Sequence, residues 1–255
     1  MFVLAVDTSS KALSVALAEE GKILGERQSF LGYNHSETLL PTVMTLLKDS
    51  GLSLQELDLL ACTTGPGSFT GIRIGLTSMK TLAWELGKPL LGISSLAALA
   101  EPLAFLQDAY VLPVIDARGG RVYSSLYQQS KPLLPEKNRQ AASLITDIRE
   151  CLSPSQEKSP ARERSQTYVE TSSLQPIYLV GDGSAAVLSA AKEVLMTEAG
   201  VARPFIVSDG TSTSLHAAAV ARLALKAFAQ GADGRWEDVQ ANYCALSQPE
   251  RLSRN

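Results

Sequence analysis

The stretch TTGPGSFTGIRIGLT, residues 63–77, limits the possible folds more than any other part of the chain. Its four glycines run from the end of a strand-like segment, LDLLACTTG (57–65), into a helix-like one, TGIRIGLTSMKTLAWELG (70–87). A turn that ends a buried strand and opens a helix is the joint from which α/β layers are built. Glycine-rich turns in that place often cradle phosphates, yet neither familiar phosphate pattern fits. No Lys-Ser/Thr pair follows glycines five apart. The dinucleotide pattern has Gly65 and Gly67, but its third position is Thr70, with Gly71 one residue late. A helix N-terminus still draws anions through its free N–H groups.

The spacing suggests another purpose. Gly71 and Gly75 are four apart inside the helix, and Ser78 continues the small edge. Each interior glycine costs ~1 kcal/mol relative to alanine, so an offsetting gain is expected. Small residues along one ridge let another backbone come close. Ile72, Leu76, Met79, Leu82, Ala83 and Leu86 gather on one face for the helix's own sheet, which leaves Ile74 and Trp84 outside it. The expectation is a contact surface for a neighbouring protein. The preceding helix reads similarly: Leu39, Leu40, Val43, Met44, Leu46 and Leu47 span about 160°, more than one buried stripe needs. It is either a deeply buried helix or one with a core on one side and a partner on the other. The expected interface residues are Leu40, Met44, Gly71, Ile74, Gly75, Ser78 and Trp84.

Around these helices the chain alternates strands and helices. FVLAVDTSS (2–10), ALSVALAEE (12–20) and KILGERQSF (22–30) form a meander, and NHSETLLPTVMTLLKDSG (34–51) switches to helical spacing. Asn34 with Glu37 resembles a capping box, Gly51 a stop, and Pro41 a kink or a freed carbonyl. KPLLGISS (88–95) is a strand and SLAALAEPLAFL (95–106) is helical until Pro102. The order then begins again with the hairpin YVLPVIDARGGRVYSSLYQQ (110–129), whose Asp116 sits as Asp7 does in the first strand. This is a repeat of element order and not of residue identity, with mixed sheets in each half. The expected organisation is a first lobe of residues 1–108 joined by a C-terminal helix at 212–230. A second lobe at 109–211 carries a polar mobile insertion at 153–175, and 231–255 is a tail.

Composition excludes several classes. The 255 residues carry 45% hydrophobic and 19% charged residues, enough for a sizeable core. No apolar run reaches the ~18 residues of a membrane span. The apolar start lacks a basic flank and reads as a strand rather than a signal peptide. Cys62, Cys151 and Cys244 are far apart, without metal-ligand spacing, and suit a reducing cytoplasm. A net charge of −3 with scattered lysines and arginines argues against gripping nucleic acid alone.

AVDTSS (5–10), HSETLLP (35–41), GPGSFTGIRIG (65–75) and VIDARGGRVY (114–123) together resemble the bacterial TsaB (YeaZ) family of tRNA threonylcarbamoyladenosine biosynthesis proteins. The resemblance covers most of 1–125 and, more loosely, 176–230. The tail NYCALSQPE departs from the family's usual Pro-x-Tyr, with Asn242 before Tyr243. The resemblance implies a two-lobed fold of the actin, sugar-kinase and Hsp70 type, with ribonuclease H-like lobes. It also implies a non-catalytic partner of the paralogue TsaD, which transfers threonylcarbamoyl to N6 of adenosine 37 in tRNAs reading codons that begin with A. An ATPase subunit, TsaE, completes that complex, and tRNA is met only through it. The helices at 35–50 and 70–87 would form both homodimer and heterodimer surfaces.

The chemistry left to this chain is sparse. The catalytic paralogue holds its metal with H-x-x-x-H, whereas position 39 here is Leu39 and the histidines are His35 and His216. No catalytic residue and no metal site are expected, and His35 reads as a helix-start or surface residue. In kinases of this fold, paired aspartates position the metal–phosphate group. Asp7 and Asp116 resemble those positions, with VGDGS (180–184) where an adenosine loop would lie. The plainer reading makes them turn formers accepting backbone N–H bonds. No cofactor is expected, and any ATP or ADP contact only within the complex. An ATP-dependent kinase-like enzyme and a peptidase are the alternatives.

Overall fold

The computed structural model describes residues 1–30, 34–152, 175–197, 204–207 and 215–244. The expected insertion, except for Gln175, lies outside these residues, as does the tail beyond Cys244. The chain divides into two units, Met1–Pro102 with Asp209–Asn255 and Leu103–Ser208. The first unit runs β1 (Phe2–Asp7), β2 (Leu13–Glu19), β3 (Lys22–Ser29), α1 (His35–Asp49), β4 (Leu59–Gly65), α2 (Phe69–Leu86), β5 (Leu90–Ser94) and α3 (Ser95–Ala100). The second contains β6 (Tyr110–Asp116), β7 (Arg121–Ser124), β8 (Tyr127–Gln128), β9 (Lys131–Pro132), β10 (Lys137–Gln140), α4 (Ala141–Cys151), β11 (Ile177–Val180), α5 (Ser184–Thr197) and β12 (Phe205–Val207). The chain then returns to the first unit with α6 (Ala217–Ala229).

Both units use one sheet plan. The first orders its strands β3-β2-β1-β4-β5, with β1–β2 and β2–β3 antiparallel and β1–β4 and β4–β5 parallel. The second repeats it as β10-β7-β6-β11-β12, with β8 and β9 added off β6. The repeat legible in element order is therefore a repeat of topology. Each unit is thus a mixed α/β layer built on the same five-strand plan. β1 is buried from Val3 to Asp7 because helices cover both faces. Leu4 and Val6 join Leu39, Val43, Leu47, Met79 and Ala83 in the core under α1 and α2. The alternate residues Val3 and Ala5 belong to the other face, against which α6 packs with its buried alanines Ala217, Ala218, Ala219, Ala221 and Ala224.

Helix ends follow local chemistry, with one departure. Ser68 caps α2 by accepting from the Gly71 N–H at 3.2 Å. α1 closes with the Leu52 N–H on the Leu47 carbonyl and the Gly51 N–H on that of Lys48, the paired bonds of a Schellman end. The expected box at Asn34 does not form. The Asn34 side chain makes no cap bond, and its carbonyl instead receives the Glu37 and Thr38 N–H groups. Pro41 lies on the exposed side of an unbroken α1. There, the Glu37 carbonyl that loses its backbone donor can turn to water.

The glycines of α2 correct the partner-ridge expectation. Gly71 and Gly75 are buried against the chain's own Thr8, the residue that follows β1. A Cβ on Gly71 would collide with the Thr8 carbonyl oxygen, and one on Gly75 with Thr8 Oγ1. The Thr8 side chain occupies the notch they leave and donates its hydroxyl hydrogen to the Gly71 carbonyl at 2.8 Å. One turn earlier, the Ser68 N–H reaches the Ser9 carbonyl at 2.7 Å. The second unit uses the same device. Gly183 opens α5, its N–H bonds to Val114 O at 3.1 Å, and a Cβ there would press on Ile115 C and Asp116 N at 3.1 and 3.2 Å. In both units, the helix after the fourth strand of the plan is drawn onto the end of the first.

Sign separates the two readings of these glycines. On a free ridge, Gly75→Ala would stabilise the isolated chain by up to ~1 kcal/mol through helix propensity. Against Thr8, overpacking of about 1–3 kcal/mol should win, giving net loss. Gly71→Ala should cost more, because the Thr8 carbonyl cannot rotate away as a side chain can. Urea unfolding of the isolated variants reads the sign directly.

Candidate functional site

Asp7 ends β1 with no exposed surface at all. Its Oδ1 accepts three hydrogen bonds, from the Ser9 N–H at 3.1 Å, the Ser9 hydroxyl at 2.6 Å and the Thr63 hydroxyl at 2.6 Å. Thr63 lies in the neighbouring strand β4, so the carboxylate ties β1, its turn and β4 together. Oδ2 is buried without a hydrogen-bond partner. Burial pushes the Asp7 carboxyl above its usual range, against the three donors and the charge of His35, which pull it down. His35 is the first residue of α1, as expected, but is buried rather than on the surface. It donates its Nε2 hydrogen to the Ser10 carbonyl at 2.9 Å, fastening α1 to the same turn.

Asp116 ends β6 in the second unit and is exposed. Its Oδ1 accepts from the Arg118 N–H at 2.8 Å, while its own N–H donates to Asp182 Oδ1 at 2.8 Å. Both aspartates thus make the i to i+2 bond of an Asx turn, the plainer role the sequence allowed. The Asp7 carboxylate is buried rather than presented to solvent.

The expected interface residues separate into three groups. Leu40 and Met44, one turn apart on α1, are 47% and 52% exposed, while Leu39, Val43, Leu46 and Leu47 are buried. α1 therefore has a core side and a solvent-facing apolar side. Trp84 on α2 is 65% exposed. Ser78 is half-buried, and Ile74 is half-buried against the core instead of pointing outward, because α1 packs beside α2. Gly71 and Gly75 belong to the Thr8 contact.

Two features have no counterpart in the sequence reading. Residues 232–244 strap the first unit: the Leu90 N–H donates to Gly234 O at 2.8 Å, the Asn242 N–H to Thr64 O at 2.7 Å, and Trp236 and Val239 pack on the core. The strap ends with Tyr243 against Phe69 and Arg73 of α2. Separately, Glu26 of β3 caps α6 from a distance, accepting from the Ala218 N–H at 3.2 Å and the Ser14 hydroxyl at 2.8 Å. Among the described residues, no three His, Cys, Asp or Glu side chains gather as metal ligands would. The buried Cys62 thiol is pushed up to about 12 by desolvation and is unreactive at neutral pH.

The raised pKa of Asp7 makes a pH prediction. A carboxyl with a higher pKa folded than unfolded binds an extra proton on folding between the two values. Its favourable contribution is therefore full below the ordinary value of 3.8 and is lost as pH rises through the folded value. Asp7→Asn cannot ionise and should lose less stability than the parent as pH rises from about 4. Parallel stability–pH curves for the two proteins would contradict this.

Comparison with known proteins agrees with the geometry. The family model for TsaD, tRNA N6-adenosine threonylcarbamoyltransferase, matches residues 30–244. The tRNA threonylcarbamoyladenosine biosynthesis protein TsaB of Bacillus subtilis is 40% identical over 154 residues, 59% of this chain and 67% of that protein. Its Escherichia coli counterpart is 39% identical over 132 residues, 51% of this chain and 57% of that one. The match thus spans about two thirds of one relative and little more than half of the other. Among solved structures, YeaZ from Pseudomonas aeruginosa superimposes with a TM-score of 0.67 at 30% identity, covering 95% of this chain and 99% of that one. A second, described as similar to the peptidase YeaZ from the same organism, gives 0.70 at 30% identity, with 96% and 99% covered. The chain belongs to the TsaB (YeaZ) family of TsaD-type proteins.

Proposed function

We propose that this chain is a non-catalytic subunit of the cytoplasmic machinery that makes N6-threonylcarbamoyladenosine at position 37 of tRNAs reading codons that begin with adenine. It binds a TsaD-type catalytic paralogue and, with it, a TsaE-type ATPase. The observation that carries this reading is the second apolar side of α1. Leu40 and Met44 stand in solvent while their helix neighbours fill the core. Large apolar side chains at helical spacing on an outer face are what a partner helix recognises, and the indole of Trp84 adds a typical interface anchor. Alone, the chain covers the same face by homodimerisation. tRNA is met through the assembled complex, since a net charge of −3 offers few phosphate contacts.

The kinase-like reading needs Asp7 and Asp116 to hold a metal–nucleotide group. Asp7 instead directs one oxygen at three internal donors, and Asp116 serves its own turn. The peptidase reading has only the description of one structural neighbour behind it.

The test is binding of the full chain to the paralogue of the same organism by calorimetry, alongside reconstituted tRNA modification. Leu40→Glu with Met44→Glu should lower affinity by at least about a hundredfold, the range of lost hot-spot pairs. It should abolish modification and leave the isolated fold intact by circular dichroism. Unchanged affinity in a folded double variant would remove this reading.

A further inference from the structure

Resting on that reading, we infer that Arg73 is a preorganised receptor for a carboxylate side chain, Asp or Glu, of the partner protein, and that the C-terminal strap builds it. Arg73 is exposed on the first turns of α2. Its guanidinium carbon lies 3.8 Å above the centre of the Phe69 ring and 5.8 Å from that of Tyr243. The two rings are 4.9 Å apart and tilted by 39°. The Arg73 Nε–H donates to the Tyr243 hydroxyl at 3.0 Å. A surface arginine ordinarily loses much rotamer freedom when it binds. This one is already stacked on an aromatic face and held through Nε, so less is lost on binding.

What remains free is the fork. Among the described residues, no carboxylate pairs with Arg73, and its two terminal nitrogens have no hydrogen-bond partner. Two parallel N–H donors on a fixed plane fit a carboxylate or a phosphate. The surroundings choose between them. Thr70, Thr77 and Thr81 flank Arg73 along the exposed face of α2, and the nearby Lys80 ammonium is turned to the Glu237 carbonyl at 3.3 Å. Two cations in a hydroxyl-rich strip, one of them already bonded to a backbone carbonyl, suit one acidic side chain rather than a polyphosphate backbone, which needs several. Phe69 and Tyr243, each partly exposed, supply the aromatic rim that screens such a pair from water. Tyr243 reaches this place only because residues 232–242 are fastened along the first unit, so the tail contributes half of the receptor.

Two measurements on the full chain test this. In the first, the paralogue is titrated into the parent, Arg73→Ala, Arg73→Lys and Tyr243→Phe. Arg73→Ala should weaken binding at least about tenfold, as for a charge-assisted bidentate contact. Lysine should not restore it, and Tyr243→Phe, which keeps the ring but frees Nε, should fall between. Affinity within twofold of the parent for Arg73→Ala, or full rescue by lysine, overturns the inference. So does a loss confined to tRNA binding, which would assign the fork to phosphate. The second measurement does not need the paralogue: side-chain nitrogen NMR of Arg73 during titration with hexaglutamate and, at matched ionic strength, inorganic phosphate. A saturable Arg73 shift with the peptide exceeding that with phosphate supports the receptor, and equal or absent shifts overturn it. If the parent does not bind the paralogue at all, the proposed function fails while this second titration still decides the inference.

Discussion

The contact between Thr8 and the glycine notch of α2 is the one on which the first unit is organised. It sets how closely α2 lies on the end of β1, and with it the position of the 65–68 turn, the Ser9–Ser68 bond and the cap of the helix. Asp7, immediately before Thr8, receives the bonds that hold this turn to β4. His35 ties α1 to the same few residues through Ser10. One short turn after the first strand is thus the anchor of two helices and two strands. The second unit repeats the plan more loosely, with Gly183 pressed on β6 and Asp116 forming its turn in solvent.

This anchoring explains what is left on the outside. α2 is so committed to its own sheet that its glycines cannot offer a backbone to anything else. The surface it presents is made of the residues opposite them: Arg73, Thr77, Thr81 and Trp84. α1, fastened at its first residue, buries Leu39, Val43, Leu46 and Leu47 and turns Leu40 and Met44 outward. The proposed assembly role and the physical fold therefore draw on different sides of the same two helices.

Much of this was legible in the sequence. Apolar runs of strand length, helical spacing and the reappearing Asp at the end of a hairpin strand led to the repeated mixed sheet, and the motifs led to the family. The glycines show where the reading fails. Spacing of small residues reveals that something approaches a helix closely, but not whether it is another chain or a threonine 63 positions earlier. A helical wheel by itself places Ile74 outward, whereas Ile74 packs against the core shared by α1 and α2. Asn34 has the right residue type for a cap, but nothing local shows that its side chain will go unused. The Tyr243–Arg73 contact spans 170 residues and leaves no periodic trace. Burial of Asp7 is a property of packing that no single motif encodes.

A double-mutant cycle between Thr8 and Gly75, read by denaturant unfolding of the isolated chain, tests this organisation most directly. Thr8→Ala removes the hydroxyl that a new Cβ at position 75 would strike. The penalty of Gly75→Ala should then shrink by at least about 1 kcal/mol in the Thr8→Ala background, well beyond the ~0.5 kcal/mol scatter of independent sites. Additive effects of the two substitutions would mean that Thr8 does not fill the notch, and the account of α2 would be wrong.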